Sequence, residues 1–392
     1  MQTRALLLVL FAAGCMVGPD DDETIDDGDD GTDAELIEAG APDPTRINVG
    51  FNNGFATQFD YWDDFFGSGV TPPARLCHAY VSWRVALLPA GSGSVADHAS
   101  PAFIEDWLRK AQGKCDEVLI SFKSMTKGSP PATSTFADAF EKFVAIDWHA
   151  RTGFTGNFAF TAWNEPNNGD DAGNGLGVEI PPRVAARYFL VAERACKQHG
   201  CKVAAGDFAS NGNMWDDFRW NCANDNVAPS QLCHDKSSMN PDGRGASYLD
   251  IYKNELVNRA PELGLGTSFR PAYFAYHGWH DTNRYLNDGD HCSSYETCTL
   301  RRLLRSLRGS WGNVVIWNTE DGVGQTSAPD DREQACAAAF LLRLELVSPR
   351  VKRLYLTRLR GGPGTLFNVD HTRRPAATVF ANRETSFAGS CR

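Results

Sequence analysis

Two glutamates, Glu165 and Glu320, each follow an apolar run that has the character of a buried strand. The first run is Phe158 to Trp163 and the second is Val314 to Trp317. Two carboxyl groups brought to one site can cleave a glycosidic bond, because one protonates the leaving oxygen while the other attacks carbon or activates water. We therefore predict that Glu165 and Glu320 are the catalytic pair, with a raised pKa on the proton donor. The alternative is that both are structural residues at strand ends.

Strands and helices must alternate to bring two such residues together, and they do so from Arg46 onward. Eight strands separated by helical patterns predict an α/β chain with a closed (β/α)₈ barrel, in which strand ends meet at one mouth. An open, doubly wound sheet is the alternative, although no Gly-rich phosphate loop follows the first strand. The largest loop insertions, 208–245 and 281–298, both contain cysteines. The predicted strands are Ile47–Phe51, Leu76–Trp83, Glu117–Phe122, Asn157–Trp163, Lys202–Asp207, Ala272–Tyr276, Val314–Trp317 and Arg353–Leu356.

The tetrapeptide Trp163-Asn164-Glu165-Pro166 resembles the strand-four motif of the clan A glycoside hydrolases, which are retaining (β/α)₈ enzymes. The resemblance covers about Arg46 to Phe380. Within the clan the chain is most similar to the β-xylosidase and α-L-iduronidase family and its secreted relatives, in the stretches 183–188 and 203–207. The resemblance implies that Glu165 is the acid/base, Asn164 binds the sugar 2-hydroxyl and Glu320 is the nucleophile. It implies hydrolysis of a β-linked oligo- or polysaccharide with retention.

Other residues near the predicted strand ends are candidates for binding the sugar. The family often carries Tyr or His on strand six, and aromatic side chains near the site offer faces for stacking. For the aromatic residues the alternative is the core, for Asn164 a helix cap, and for the residue after strand one a turn. The predicted substrate-binding residues are Asn164, Tyr276, His277, Trp317, Trp163, Trp83, His78 and Asn53.

Two positions depart from the family pattern. Family members usually have an arginine on strand two that contacts the nucleophile, and His78 aligns with it here. Strand eight usually ends in a tryptophan, whereas this chain has Thr357-Arg358. These departures leave an alternative open, in which a catalytically weak or inactive barrel serves as a surface glycan-binding lipoprotein. A transglycosylase is a further alternative, and neither the sugar nor the oligomeric state follows from the sequence.

No cofactor or metal is predicted. The sequence has no dinucleotide fingerprint, P-loop or GxSxG motif. His277 and His280 have the HxxH spacing and could bind a metal with Asp281, but strand-end histidines at sugar sites more often contact hydroxyl groups. The formal net charge of −11 argues against a nucleic-acid partner.

The first 44 residues have the character of an export signal and a tether. Arg4, the apolar run Ala5 to Ala13 and Gly14 predict a signal peptide over residues 1–14. The residues before Cys15 resemble the bacterial lipobox, which predicts lipid attachment at Cys15 and, with Met16 next, the outer membrane or cell surface. Residues 15–44 hold 12 acidic residues and no Lys or Arg, which predicts a disordered tether. The barrel domain is residues 45–392, and a plain secretory signal is the alternative.

Cysteine usage also favours export. The chain has 11 cysteines, and setting Cys15 aside leaves an even number for disulfide bonds. Sequence alone does not fix the connectivity, and buried thiols are the alternative for some of them, such as Cys77. The predicted pairs are Cys196 with Cys201, Cys222 with Cys233, Cys292 with Cys298, Cys77 with Cys115, and Cys336 with Cys391.

Overall fold

The fold is that of a computed structural model, which describes residues 47–52, 56–66, 74–169, 173–210, 214, 247–289, 291–292, 298–323, 330–357, 365–368, 370–384 and 391. Several predictions lie outside the described residues. They concern the signal peptide, the lipid attachment at Cys15, the acidic tether, Asn53, Arg358, the bond between Cys222 and Cys233, and most of the 208–245 insertion.

Eight parallel strands close into a barrel in which each strand pairs with the next and the last pairs with the first. The predicted barrel is therefore confirmed, and the open sheet is excluded. The strands are β1 (Asn48–Asn52), β2 (Leu76–Ser82), β3 (Glu117–Lys123), β4 (Asn157–Thr161), β5 (Lys202–Phe208), β6 (Tyr273–His277), β7 (Val315–Asp321) and β8 (Val351–Thr357).

Helices connect the strands and surround the barrel. One helix, Trp279–Asp288, covers much of the segment 281–298 that the sequence predicts as a loop insertion. The first half of this predicted insertion is therefore helical. The helix was not predicted because most of its residues are polar. None of the helices among the described residues has the length and apolar character to cross a bilayer. The helices are α1 (Trp62–Phe66), α2 (Pro101–Ala111), α3 (Thr133–Val144), α4 (Trp148–Thr152), α5 (Pro182–His199), α6 (Tyr248–Arg259), α7 (Trp279–Asp288), α8 (Thr299–Ser306), α9 (Asp331–Glu345) and α10 (Pro375–Asn382).

The barrel interior changes from apolar to polar along the strands. A lower layer packs Leu76, Leu119, Ala159, Ala275 and Trp317 together. Side chains on a strand return to the same face every second residue. Two positions further along, five strands therefore place a polar residue inside the barrel, below the mouth. These residues are His78, Ser121, Thr161, His277 and Thr319, all fully buried.

Irregular pairing at the strand ends brings further polar groups inward. The register shifts between Gly206 and Phe208 on β5, which leaves Asp207 as the extra residue. A second shift, between β6 and β7, pairs His277 with Glu320. Such bulges break the alternation and re-aim side chains. As a result the consecutive residues Thr319 and Glu320 both contact groups inside the barrel.

Four of the five predicted disulfide bonds form among the described residues. They join Cys77 to Cys115, Cys196 to Cys201, Cys292 to Cys298 and Cys336 to Cys391. Cys77 is therefore not a buried thiol. The bond between Cys77 and Cys115 links the start of β2 to a position two residues before β3. The two cysteines are 38 residues apart in sequence.

The fifth predicted disulfide bond is not among those four. It would join Cys222 to Cys233, and both residues lie outside the described part of the chain. The pairing of Cys233 with Cys222 is therefore not confirmed and stays a prediction. It rests on the two cysteines being close in sequence within one insertion and on the even number of cysteines left after Cys15.

We expect the double substitution Cys77→Ala/Cys115→Ala to lower the free energy of unfolding by about 2–4 kcal/mol, because it frees a long loop in the unfolded chain. Denaturant unfolding under non-reducing conditions measures this change. The short-loop pair of Cys196 and Cys201 is the matched control, and its removal should cost less. Equal losses for the two pairs would contradict the loop-entropy explanation.

Candidate active site

The two predicted catalytic glutamates lie together at the mouth of the barrel. The Glu165 side chain is 15% exposed and the Glu320 side chain is 17% exposed, whereas His277 between them is fully buried. His277 Nδ1 lies 2.7 Å from Glu165 Oε1 and 3.6 Å from Glu320 Oε2. Both carboxyl groups are thus partly exposed, and a buried imidazole lies between them.

Glu165 is held by its backbone as well as by its side chain. Its φ of 45° lies in the left-handed region, and its backbone N–H donates to the Asp207 carbonyl at 2.9 Å. Asn168 Nδ2 donates to Glu165 Oε2 at 2.9 Å. A Cβ atom at Gly173 would lie 2.1 Å from the same oxygen, so glycine leaves the space that this carboxyl group occupies.

Glu320 accepts a short hydrogen bond from the hydroxyl of Tyr80, on β2. Asn52 Nδ2 in turn donates to the Tyr80 oxygen at 2.7 Å. Burial and the nearby Glu320 raise the pKa of Tyr80 well above its usual range. The hydroxyl therefore stays protonated and acts as the donor of the hydrogen bond to Glu320. Tyr80 therefore makes the contact with Glu320 that the resemblance implies for position 78.

The structure does not place His78, one of the predicted substrate-binding residues, at the mouth of the barrel. It lies two residues below Tyr80 on the same face of β2, fully buried, with Nε2 2.7 Å from Ser121 Oγ. Burial lowers the pKa of His78 to about 3, so the ring is neutral. A fully buried side chain at this depth does not contact a substrate at the mouth. The signal that points to Tyr80 is the period of two along the strand.

Asp207 lies beneath the two glutamates and is fully buried. Its Oδ2 accepts from Thr161 Oγ1 at 2.6 Å and Ser121 Oγ at 3.1 Å, and its Oδ1 accepts from Thr319 Oγ1 at 2.5 Å. Its Oδ1 also lies 3.4 Å from His277 Nε2. Burial raises the pKa of Asp207, but the neighbouring His277 and these donors hold it below the usual range, so Asp207 is ionised.

The pKa directions differ from the predicted ones. Burial raises the pKa of Glu165, but the hydrogen bonds from His277 and Asn168 outweigh this and hold it below the usual range. Burial raises the pKa of Glu320 above its usual value, against the effects of His277 and Tyr80. The predicted proton donor is therefore the carboxyl group with the lower pKa. The cause is His277, whose Nδ1 lies closer to Glu165 than to Glu320.

A second polar cluster fixes the end of β7 from outside the barrel. Asn318 Nδ2 donates to Asp321 Oδ2 at 2.9 Å and to Glu345 Oε1 at 2.8 Å. The Gly278 N–H donates to the Glu320 carbonyl at 3.0 Å and to Asn318 Oδ1 at 3.2 Å. Burial raises the pKa of Asp321 to about 7 and that of Glu345 to about 8. This cluster sets the backbone positions of His277 and Glu320 relative to each other.

Most of the aromatic residues predicted to bind sugar lie in the core. Trp317 is fully buried in the lower layer. The guanidinium carbon of Arg353 lies 3.8 Å from the centre of its ring. Trp163 is 2% exposed and stacks on Tyr188 outside the barrel. The Tyr276 hydroxyl donates to Glu345 at 3.0 Å, away from the mouth. The apolar character that suggested stacking surfaces belongs to the packing between strands and helices.

The remaining predicted contacts take different positions. Trp83 is 6% exposed at the end of β2, with the Arg84 guanidinium 4.8 Å from its ring centre. Asn164 is 2% exposed, and its Nδ2 donates to the Gly173 carbonyl at 2.9 Å. Its predicted contact with a sugar hydroxyl stays a prediction.

The residues weighed as a metal site do not converge. His277 faces Glu165, whereas His280 is exposed and Asp281 accepts from the Thr299 and Leu300 N–H groups at the start of α8. Asp281 also lies near Cys292 and Cys298. Those two sulfurs are bonded to each other, so neither offers a thiolate ligand.

Several solved structures resemble this chain in fold. A GH39 enzyme from Xanthomonas axonopodis pv. citri has a TM-score of 0.53 at 14% identity, over 89% of this chain and 67% of that one. A GH39 beta-xylosidase from Caulobacter crescentus has a TM-score of 0.50 at 14% identity, over 88% and 72%. A glucosidase from Croceicoccus marinus has a TM-score of 0.53 at 13% identity, over 88% and 69%. No family model and no curated protein matches the sequence. At these identities the likeness establishes the (β/α)₈ fold alone.

Proposed function

We propose that the protein is a retaining glycoside hydrolase that cleaves β-linked glycans by double displacement. Glu320 attacks the anomeric carbon while Glu165 protonates the leaving oxygen, and Glu165 then deprotonates the water that releases the sugar. The observation that carries the proposal is the pair of part-exposed carboxyl groups at the ends of β4 and β7, joined through His277. The three similar structures, a GH39 enzyme, a beta-xylosidase and a glucosidase, are consistent with this chemistry.

The spacing of the two carboxyl groups favours retention over inversion. Glu165 Oε1 and Glu320 Oε2 both lie close to His277 Nδ1. Since these distances are 2.7 and 3.6 Å, the two oxygens are at most about 6.3 Å apart, below the roughly 6.5–9.5 Å of inverting enzymes.

The buried tryptophans weigh against the alternative of a glycan-binding barrel. A binding surface of that kind needs exposed aromatic faces, and Trp163 and Trp317 are buried. A binding protein also has no need for two carboxyl groups held by a buried histidine. We further propose that the protein acts outside the cytoplasm, because four disulfide bonds form among the described residues. Attachment to a membrane through Cys15 remains part of this proposal.

Turnover on a panel of aryl β-glycosides and polysaccharides tests the function. The full chain is assayed beside Glu320→Gln, and proton NMR of the first product identifies its anomer. We expect hydrolysis of at least one substrate with retained configuration, lost in Glu320→Gln. An inverted first product would contradict the double displacement, and glycan binding without turnover would favour the binding protein.

Tyr80→Phe is expected to lower kcat/KM by roughly 10–150-fold, because a hydrogen bond to a charged group contributes about 1.5–3 kcal/mol. The hydroxyl of Tyr80 donates to Glu320 and supports its ionised, attacking form. Tyr355→Phe is the matched control, since Tyr355 on β8 packs in the lower layer and its buried hydroxyl lies away from the two glutamates. Steady-state kinetics measures both variants, and an equal loss in the two would show that Tyr80 acts only through packing.

A further inference from the structure

The buried layer below the glutamates connects three titratable groups in a line. His277 Nδ1 lies 2.7 Å from Glu165 Oε1, and Nε2 of the same ring lies 3.4 Å from Asp207 Oδ1. Nε2 is buried and makes no hydrogen bond of good geometry to a described residue. The Asp207 carboxylate, 3.4 Å away, is the acceptor within range of this nitrogen, and its negative charge favours a proton on Nε2. Asp207 therefore fixes a proton on Nε2 and leaves Nδ1 to exchange a proton with Glu165.

Asp207 is itself held firmly in place. Thr161 and Ser121 donate to one of its oxygens and Thr319 donates to the other, so three strands besides its own fix the carboxylate. Its φ of 66° places it as the extra residue of the β5 bulge, with the side chain inside the barrel. A carboxylate with this many donors stays ionised although it is buried.

We propose that Asp207 and His277 form a buried relay that stores the proton Glu165 delivers to the leaving group. This inference rests on the proposed function, because it gives Glu165 the role of general acid. The relay also explains why the pKa of Glu165 lies below its usual value while that of His277 lies above it. In the free protein the shared proton resides on Nδ1, which makes the imidazole positively charged and Glu165 ionised.

The proton moves in balanced steps. As substrate enters, the N–H bond at Nδ1 breaks, its electron pair stays on the ring, and an O–H bond forms at Glu165 Oε1. His277 is then neutral and keeps its proton on Nε2, toward Asp207. Glu165 transfers its proton to the leaving oxygen as the bond from that oxygen to the anomeric carbon breaks. In the second displacement Glu165 takes a proton from water and returns one to Nδ1.

Titratable groups from four strands face His277, and their combined effect gives the sign of the pH dependence. Glu165, Asp207 and Glu320 are the carboxyl groups around the ring, and His78 is a second imidazole below it. Burial alone would lower the pKa of His277, but the three carboxyl groups raise it well above the usual range. A group with a raised pKa is protonated at low pH and loses its proton only as the pH rises through that value. Removing the Asp207 charge must therefore move this loss to lower pH.

Asp207→Asn tests the relay through the pH dependence of kcat/KM, which reports the ionisation of the free enzyme. We expect the basic limb to move to lower pH by about 1–3 units in this variant. Thr161→Val is the matched control, because it removes a hydrogen bond from the same carboxylate and keeps the charge. Its basic limb should stay where it is in the unaltered chain. No movement in Asp207→Asn, or the same movement in both variants, would overturn the relay.

A second measurement uses the unaltered full chain and does not depend on activity. Nitrogen NMR of histidine-labelled protein reports which ring nitrogens carry protons, and His277→Asn identifies the signals of His277 by their loss. We expect Nε2 to be protonated throughout, and Nδ1 to lose its proton at high pH. An unprotonated Nε2 at neutral pH would overturn the relay. Absence of turnover on every substrate would instead overturn the proposed function, while the nitrogen signals still decide whether the proton is stored on His277.

Discussion

Glu320→Ala is expected to reduce turnover by about 10⁴–10⁶-fold on every substrate, the loss that follows removal of a covalent nucleophile. The hydroxyl of Tyr80 donates to this carboxylate, and His277 Nδ1 lies 3.6 Å from it. Without the carboxylate, the sugar has no attacking group on the face opposite the leaving oxygen. Since the effect concerns the first chemical step, activated and poor leaving groups should suffer alike.

Azide distinguishes loss of the nucleophile from general damage to the protein. The alanine variant leaves a space beside Tyr80 that a small anion can fill. Azide entering there attacks directly, so the product should be a glycosyl azide with inverted anomeric configuration. Product analysis by NMR measures this outcome. A glycosyl azide with retained configuration would show that Glu320 is not the nucleophile.

Glu165→Ala is expected to have an effect that depends on the leaving group. On glycosides with poor leaving groups, loss of the general acid should cost about 10²–10⁴-fold in the first step. Activated aryl glycosides need no protonation to depart, so they should lose little in that step. Azide should give a glycosyl azide with retained configuration here, because Glu320 still forms the covalent intermediate.

A leaving-group series on the variant and the unaltered chain measures this dependence. Glu141→Ala serves as a control, because Glu141 pairs with His199 at the surface and has no contact with the site. Equal losses on activated and poor leaving groups would contradict the role of Glu165. Retained stereochemistry with Glu165→Ala and inverted stereochemistry with Glu320→Ala together assign both carboxyl groups in one experiment.

The barrel could be predicted from the sequence because its strands are short apolar runs with helical patterns between them. β1 and β3 begin or end within one residue of the prediction. β7 extends four residues beyond the predicted end, through Asn318 to Asp321, because its polar side chains pair with partners inside and outside the barrel. A search for apolar runs does not identify strand residues that are themselves polar, such as these four.

The site was predictable in its two glutamates and less so in what holds them. Glu165 and Glu320 follow their strands directly, so a count of strands brings them to one mouth. Asp207 enters the barrel through a bulge, and no local pattern in the sequence announces such a shift of register. Tyr80 follows from strand alternation, but the family pattern drew attention to His78 instead. The buried aromatic residues show that composition alone does not separate a stacking surface from a core.

Glu165 and Asp207 adopt left-handed backbone conformations, with φ values of 45° and 66°. This region costs a residue with a Cβ atom roughly 1–2 kcal/mol, whereas glycine adopts it freely. At both positions the chain thus carries a side chain that the proposed catalysis needs on a backbone that folding disfavours. Glycine at either position would relax the backbone and remove a carboxyl group. It would also leave the groups that donate to that carboxyl group without an acceptor, so the chain cannot remove the backbone cost without losing the hydrogen bonds that order the site.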